Sequence, residues 1–326
     1  MAIRGRAGLP VWEMTLVLLI VAAGAWSSTL SEYYLSVDQI FGSTRFFIIP
    51  GLMALGLAMV VSTGEIDISL ASIVAVGTVT LSKLSAAGLP ILPAALIVVA
   101  VGALCGLVNG LLVARWRLPS LAVTLGTMGA FRGLAFIVGT DLGYTDFGDS
   151  YLWLGSEFVF AGIMPVALFL FAAMAIVVAL VMHGTIFGRQ CFSIGLNADA
   201  AWYAGVDIVR TKLVAYVAAG ALAAMGGLVW VGQYGSARGD NADGSILFVV
   251  TAVVLGGVDI NGGRGTIGGV VLALILLGTI RNGMGLANIG GPTQTVVLGA
   301  LLVAGVLRPL IASALLRLAG RRQPAT

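Results

Sequence analysis

The chain has 326 residues, of which 59% are hydrophobic and 10% charged, with a net charge of +3. A water-soluble domain carries about 25% charged residues, so this composition excludes an ordinary soluble fold. Two cysteines, Cys105 and Cys191, and one histidine, His183, give no spacing for a disulfide framework, a metal site or a Cys/His nucleophile.

Mean hydropathy is +1.07, and the apolar residues fall in long runs. Phe46 to Gly64, Leu84 to Ala114, Phe158 to Met182, Leu213 to Ala237 and Asn282 to Leu307 contain no Asp, Glu, Lys or Arg. A helix needs about 20 apolar residues to cross about 30 Å of hydrocarbon. Lipid offers no partner to a bare amide or carbonyl, so such runs must be helical. The expected fold is an all-α polytopic transmembrane helix bundle, one transmembrane domain over residues 1–326. Its spans, about ten, fall near residues 12–30, 45–63, 68–87, 90–114, 118–139, 159–183, 212–232, 244–258, 265–281 and 291–309. The first follows Arg4 and Arg6 and imitates a signal peptide, but its apolar run is longer than a usual signal and further spans follow, so an uncleaved helix is expected.

An even number of spans puts both termini on one side, and the positive-inside rule makes that side cytoplasmic. The inner segments then hold Arg4, Arg6, Arg115, Arg117, Arg189, Arg210, Lys212, Arg264, Arg308, Arg317, Arg321 and Arg322, 12 of the 17 basic residues. The outer loops hold Glu32, Asp38, Asp141, Asp146, Asp149, Glu157, Asp240 and Asp243. The positive charge therefore belongs to a cytoplasmic face and does not point to nucleic acid. The spans around Asp259 and Arg264 have short apolar windows and are the weakest. Gly102, Gly106 and Gly110 recur every four residues and read as close helix packing within the chain or as a seam to a second copy.

No phosphate-binding G-x-x-x-x-G-K-[ST], H-E-x-x-H or G-x-S-x-G occurs, so catalysis by this chain is not expected and transport is. Three segments break the apolar pattern. The first, Thr63-Gly64-Glu65-Ile66-Asp67-Ile68-Ser69, reads as a turn whose Asp67 caps the third span, or as a broken helix lining a water-filled path. The second is the inner loop 184–212. There Asn197 can cap a short helix that Gly205 ends, with Ala200, Ala201, Trp202 and Ala204 forming an apolar knob. Such a knob docks another protein or lies on lipid headgroups. The third, Leu255 to Thr266, carries five glycines, and its Thr266 can cap the ninth span. Gly-x-Ile/Val-Asp-Ile at 64–68 recurs at 256–260, on the same side of the membrane. Arg132 falls inside the fifth span and either snorkels outward or faces a partner.

These same residues resemble the membrane permease subunits of ribose-type (monosaccharide) ABC importers. The resemblance lies in Gly64 to Ser69, in Thr124 to Thr127 with Arg132 to Leu134, and in Phe187 to Arg189 with Gly195, Asn197, Ala200, Ala201 and Gly205. It continues through Gly256-Gly257 and Gly262 to Gly265. Permeases of autoinducer-2 and rhamnose-type importers are similar, the former also through Gly235-Ser236-Ala237-Arg238. Glu65 stands where the ribose-type stretch usually has glycine. The resemblance implies a pore subunit in a bacterial inner membrane, without catalysis or cofactor. Its partners would be cytoplasmic ATPase subunits, a second permease copy or paralogue, and a periplasmic binding protein that delivers a small sugar. It implies ATPase docking at Gly188, Arg189, Gly195, Asn197, Ala200, Ala201 and Gly205. Asp67, Asn109, Thr124, Thr127 and Arg132 are the expected polar residues near the translocation path. The rival readings are an ion-coupled secondary transporter, which needs acids in mid-span, a polyol channel, which has no use for a docking helix, and a membrane-embedded structural partner.

Overall fold

The computed structural model describes residues 11–139, 143–160 and 162–320, with side chains through residue 307. Arg4, Arg6, Asp141, Arg321 and Arg322 of the charge map lie outside the described residues, as do the side chains of Arg308 and Arg317. Among the described residues, fourteen α-helices follow one another: α1 (Val11–Ser28), α2 (Val37–Gly42), α3 (Arg45–Ser62), α4 (Leu70–Ala86), α5 (Ile91–Gly110), α6 (Ser120–Gly139), α7 (Asp149–Ser156), α8 (Val166–Gly184), α9 (Ile186–Leu196), α10 (Ala198–Tyr203), α11 (Ile208–Tyr234), α12 (Ser245–Leu255), α13 (Ile267–Leu286) and α14 (Gly291–Gly320). A π-helical turn, Leu111–Arg115, extends α5, and a two-residue hairpin, β1 (Phe158–Val159) with β2 (Met164–Pro165), precedes α8.

Among the described residues, seven segments are long and apolar enough to cross a membrane: Val11–Ser28, Val37–Ser62, Ile91–Arg115, Ser120–Gly139, Val166–Gly184, Ile208–Tyr234 and Ile267–Leu286. Leu70–Ala86, Ser245–Leu255 and Gly291–Leu307 are shorter apolar helices. The protein is a polytopic helical membrane protein. Each expected span overlaps one of these ten helical segments, but the sixth begins only at Val166, after the hairpin, and the eighth is shorter than its sequence window. Helix α12 has 11 residues, a rise of about 16 Å at 1.5 Å per residue, about half the hydrocarbon thickness. It tolerates this because protein surrounds it: Phe248, Val249 and Thr251 through Leu255 are buried. Its C-terminal half therefore does not face lipid, where open backbone would be forbidden.

Helix α3 is the axis of the bundle. It is apolar on all sides, as a fully enclosed helix must be, and Phe47 through Ser62 are all buried. Against it and against α4 and α5 packs α11, and glycine makes this approach possible. A Cβ on Gly106 would overlap the Tyr216 carbonyl oxygen, one on Gly102 would overlap Ala224 and Gly220, and one on Gly220 would overlap Gly102. The every-fourth-residue glycines of α5 thus face α11 within the same chain. Helices α1, α5, α6 and α8 present Leu18, Leu96, Ile137 and Leu180, all more than 60% exposed, at the bundle surface. In lipid this is the favourable solvent.

Candidate docking and coupling site

The three sequence segments that interrupt the apolar pattern meet at one end of the bundle. The α3–α4 turn (63–69) is their junction. Gly64 adopts φ +80°, a left-handed conformation that favours glycine, and the third segment packs on it: Gly262 lies against the Gly64 backbone, and Gly263 N–H donates to Ser62 O at 3.0 Å. Helix α9 closes the group, since a Cβ on Gly195 would overlap Gly263 N and Ser62 O. The sequence echo is also a local geometric one. Asp67 Oδ1 accepts from Ser69 N–H at 2.9 Å, and Asp259 Oδ1 accepts from Asn261 N–H at 3.0 Å. Each aspartate fixes its own backbone two residues on.

Asp67 does more than close a turn. It is fully buried, accepts from Ser69 Oγ at 2.7 Å, and receives Asn109 Nδ2 from α5 at 3.3 Å. Asn109 Nδ2 also donates to Ser69 Oγ at 2.8 Å. The preceding residue, Ile66, is held from two other helices. Its carbonyl accepts from Tyr216 Oη of α11 at 3.2 Å and from Thr124 Oγ1 of α6 at 3.4 Å, and its N–H donates to Ser120 Oγ at 3.3 Å. Glu65 makes an ion pair with Lys212 at the start of α11, at 2.5 Å, both side chains less than 20% exposed. One short turn thereby ties together α3, α4, α5, α6 and α11. Asp67→Ala would leave the Ser69 N–H and O–H donors without their buried acceptor, each at about 1–3 kcal/mol. The variant is expected to lose several degrees of melting temperature in detergent, measured by thermal aggregation.

The expected path residues do not form one group. Asp67, Asn109 and Thr124 are fully buried around the turn. Thr127, half-buried, lies one turn further along α6 and donates to Thr124 O at 3.4 Å. Arg132 lies eight residues beyond Thr124, about 12 Å along the helix. Its Nη1 donates to Gly239 O at 2.7 Å and to Asn241 O at 2.8 Å, and Asp243 is 3.8 Å from Nη2. It thus clamps the α11–α12 connection to α6 at the opposite end from the turn.

The inner loop of the sequence analysis is largely helical. Asn197 Oδ1 accepts from Ala200 N–H at 2.9 Å and caps α10, and Gly205, at φ +83°, lies just past its end. Of the expected docking residues, Arg189, Asn197, Ala200 and Gly205 are exposed. Gly188 and Ala201 are buried and Gly195 half-buried. Gly188 lies against the Met182 backbone, where any Cβ would overlap, so it joins α9 to α8 and offers no surface. The exposed groups are Trp202 (62%) and its neighbour Tyr203 (82%), edge to face with ring centroids 4.9 Å apart. Sequence reasoning named Trp202 but passed over Tyr203, Lys212, Tyr216 and Ser120. Lys212, one of two lysines in the chain, was the available signal.

The base of this hairpin is fixed. Cys191 is buried, which pushes its thiol up to about 12 and leaves it inert. His183 stacks on Phe192 at 5.9 Å, and its Nε2 accepts from Ile267 N–H at 3.2 Å, satisfying an amide at the start of α13. Thr266 caps α13 by accepting from Gly269 N–H at 3.0 Å. Beside α10 opens a cleft of about 770 Å³, lined by Glu65, Val113, Arg117, Trp202, Asp207 and Lys212 among others. One of its walls is the π-helical turn, and Arg117 on it has φ +55°.

Residues 39–306 match the family described as branched-chain amino acid transport system / permease component. The chain belongs to this permease family. It is 33% identical over 300 residues to the autoinducer 2 import system permease protein LsrD of Photorhabdus luminescens, covering 91% of this chain and 90% of that one. The LsrD protein of Salmonella paratyphi A is likewise 33% identical over the same shares, and that of Escherichia coli O9:H4 is 32% identical over 309 residues, 91% of each chain. No solved structure matches it. The family is one of permease components, so this chain's task is transport and not a chemical reaction.

Proposed function

We propose that this chain is a pore-forming permease subunit of an ATP-driven importer for a small sugar-like solute of the autoinducer-2 class, in a bacterial inner membrane. The observation that carries this reading is α10. It lies outside the long apolar helices and exposes two aromatic rings in a row, and exposed Trp and Tyr anchor protein interfaces. Its supporting hairpin is seated on the turn that binds five helices. A separate ATPase pressing on Trp202 and Tyr203 would act on the whole bundle through that turn. Ten spans place α9, α10 and both termini in the cytoplasm, with Arg189 and Arg210 beside α10 in keeping with a basic inner face.

Docking in this reading uses the segment from Gly188 to Gly205, with Arg189, Asn197 and Ala200 at the surface and Gly188, Gly195 and Ala201 as its frame. The path runs along α6. Its Gly126, Gly129 and Gly133 have nothing within 4 Å of a would-be Cβ, leaving the face near Thr127 open to a second permease chain and to the solute. Asp67, Asn109 and Thr124 hold the inner end of that path, and Arg132 holds the outer. The solute is delivered by a periplasmic binding protein, which relieves the pore of the need for tight contacts.

The test is solute-stimulated ATP hydrolysis by this chain co-purified with its ATPase, second permease and binding protein. Stimulation by a sugar-like solute supports the reading. Stimulation only by branched-chain amino acids would move the substrate to the class in the family's description. No stimulation by either, with the complex assembled, would contradict it.

A further inference from the structure

We infer that Glu65 and Lys212 form the coupling pair through which the docking hairpin moves the bundle; this rests on the importer reading above. Helix α10 leads through Gly205 and Val206 directly into α11, and Lys212 lies in the second turn of α11. Its Nζ meets Glu65 Oε1 on the turn that binds α3, α4, α5 and α6. The neighbouring contacts of α11 are uncharged: Tyr216 reaches the Ile66 carbonyl, and Thr211 reaches Gln190 of α9 at 3.4 Å. Among the described residues the Glu65–Lys212 pair is the sole ion pair at this end of the bundle.

The surroundings are built for relative movement. The pair lies on the wall of the 770 Å³ cleft, so one side of α10 and of the start of α11 faces an open volume. Across the cleft run a π-helical turn and the left-handed Arg117, two departures from regular backbone that concentrate where a segment has to rearrange. Arg117, Asp199 and Asp207 also face the cleft, so a Lys212 freed from Glu65 has carboxylates available to it. With both side chains largely buried, removing one partner strands the other charge, whereas exchanging the two preserves a pair.

The experiment measures solute transported per ATP hydrolysed by the assembled complex in proteoliposomes. Glu65→Gln and Lys212→Met are each expected to lower this ratio on the order of fivefold or more, the usual scale of coupling between distant sites. Unstimulated hydrolysis should persist. The exchanged variant, Glu65→Lys with Lys212→Glu, is expected to return the ratio to within about twofold of wild type, because a coupled pair behaves non-additively. Should a single change impair assembly, the exchanged variant decides. Its recovery of coupling supports the inference, and an assembled but uncoupled exchanged variant overturns it. Single variants that assemble and keep the wild-type ratio would overturn the coupling role while leaving the importer reading standing. A wild-type complex with no ATP-driven transport would overturn both.

Discussion

Trp202→Glu is expected to abolish ATP-driven uptake while leaving the chain folded in the membrane. The side chain is 62% exposed and stands edge to face with Tyr203. Exposed substitutions of this kind cost about 0.5 kcal/mol or less in stability. At an interface the same ring is an anchor, and losing an aromatic anchor costs about 2 kcal/mol or more, about a thirtyfold loss of affinity. A carboxylate in its place adds a charge to be desolvated. The check is retention of the ATPase on affinity-purified permease, beside the melting curve of the permease alone. Ala201→Asp provides the contrast. Ala201 is 4% exposed, so this variant is expected to lower the melting temperature as well as docking. Unchanged ATPase retention by Trp202→Glu would remove α10 from the interface.

The second large effect lies far from any partner. Gly106→Val is expected to prevent stable folding, with the protein aggregating when extracted in detergent. The new Cβ would overlap the carbonyl of Tyr216, and backbone in a helix cannot be moved aside like a side-chain end. Overpacking costs about 1–3 kcal/mol, and more where backbones touch. Here the displacement would also pull Tyr216 Oη from the Ile66 carbonyl and loosen the turn. Gly126→Val on α6, where nothing lies within 4 Å, is the control and is expected to elute as wild type. Equal elution of both variants would mean that α5 and α11 do not approach this closely.

These two sites show what was readable in the chain and what was not. The helices were legible because lipid imposes one rule on every span, a long uncharged run, and each expected span overlaps an apolar helix, seven of them long enough to cross a membrane among the described residues. Caps were legible for the same local reason: Asn197 and Thr266 each accept the amide three residues on. The length of α12 was not, since hydropathy cannot tell a helix surrounded by lipid from one surrounded by protein. Nor was the direction in which Gly102 and Gly106 face, which depends on a helix more than 100 residues later in the chain. The meeting of Gly64, Gly195 and Gly262 was hidden likewise, although each segment stood out by itself. Gly188 and Ala201, two of the expected docking residues, are buried, and the exposed side chains of α10 are Trp202 and Tyr203; a pattern of residue types carries no burial.

The most direct test of the account is solute flux into proteoliposomes that hold this chain either alone or with its ATPase, second permease and binding protein. The account predicts no flux through the chain alone, and uptake by the full assembly that requires both ATP and the binding protein. Flux of a sugar-like solute through the chain alone, indifferent to ATP, would contradict it and make the protein a channel or an ion-coupled carrier.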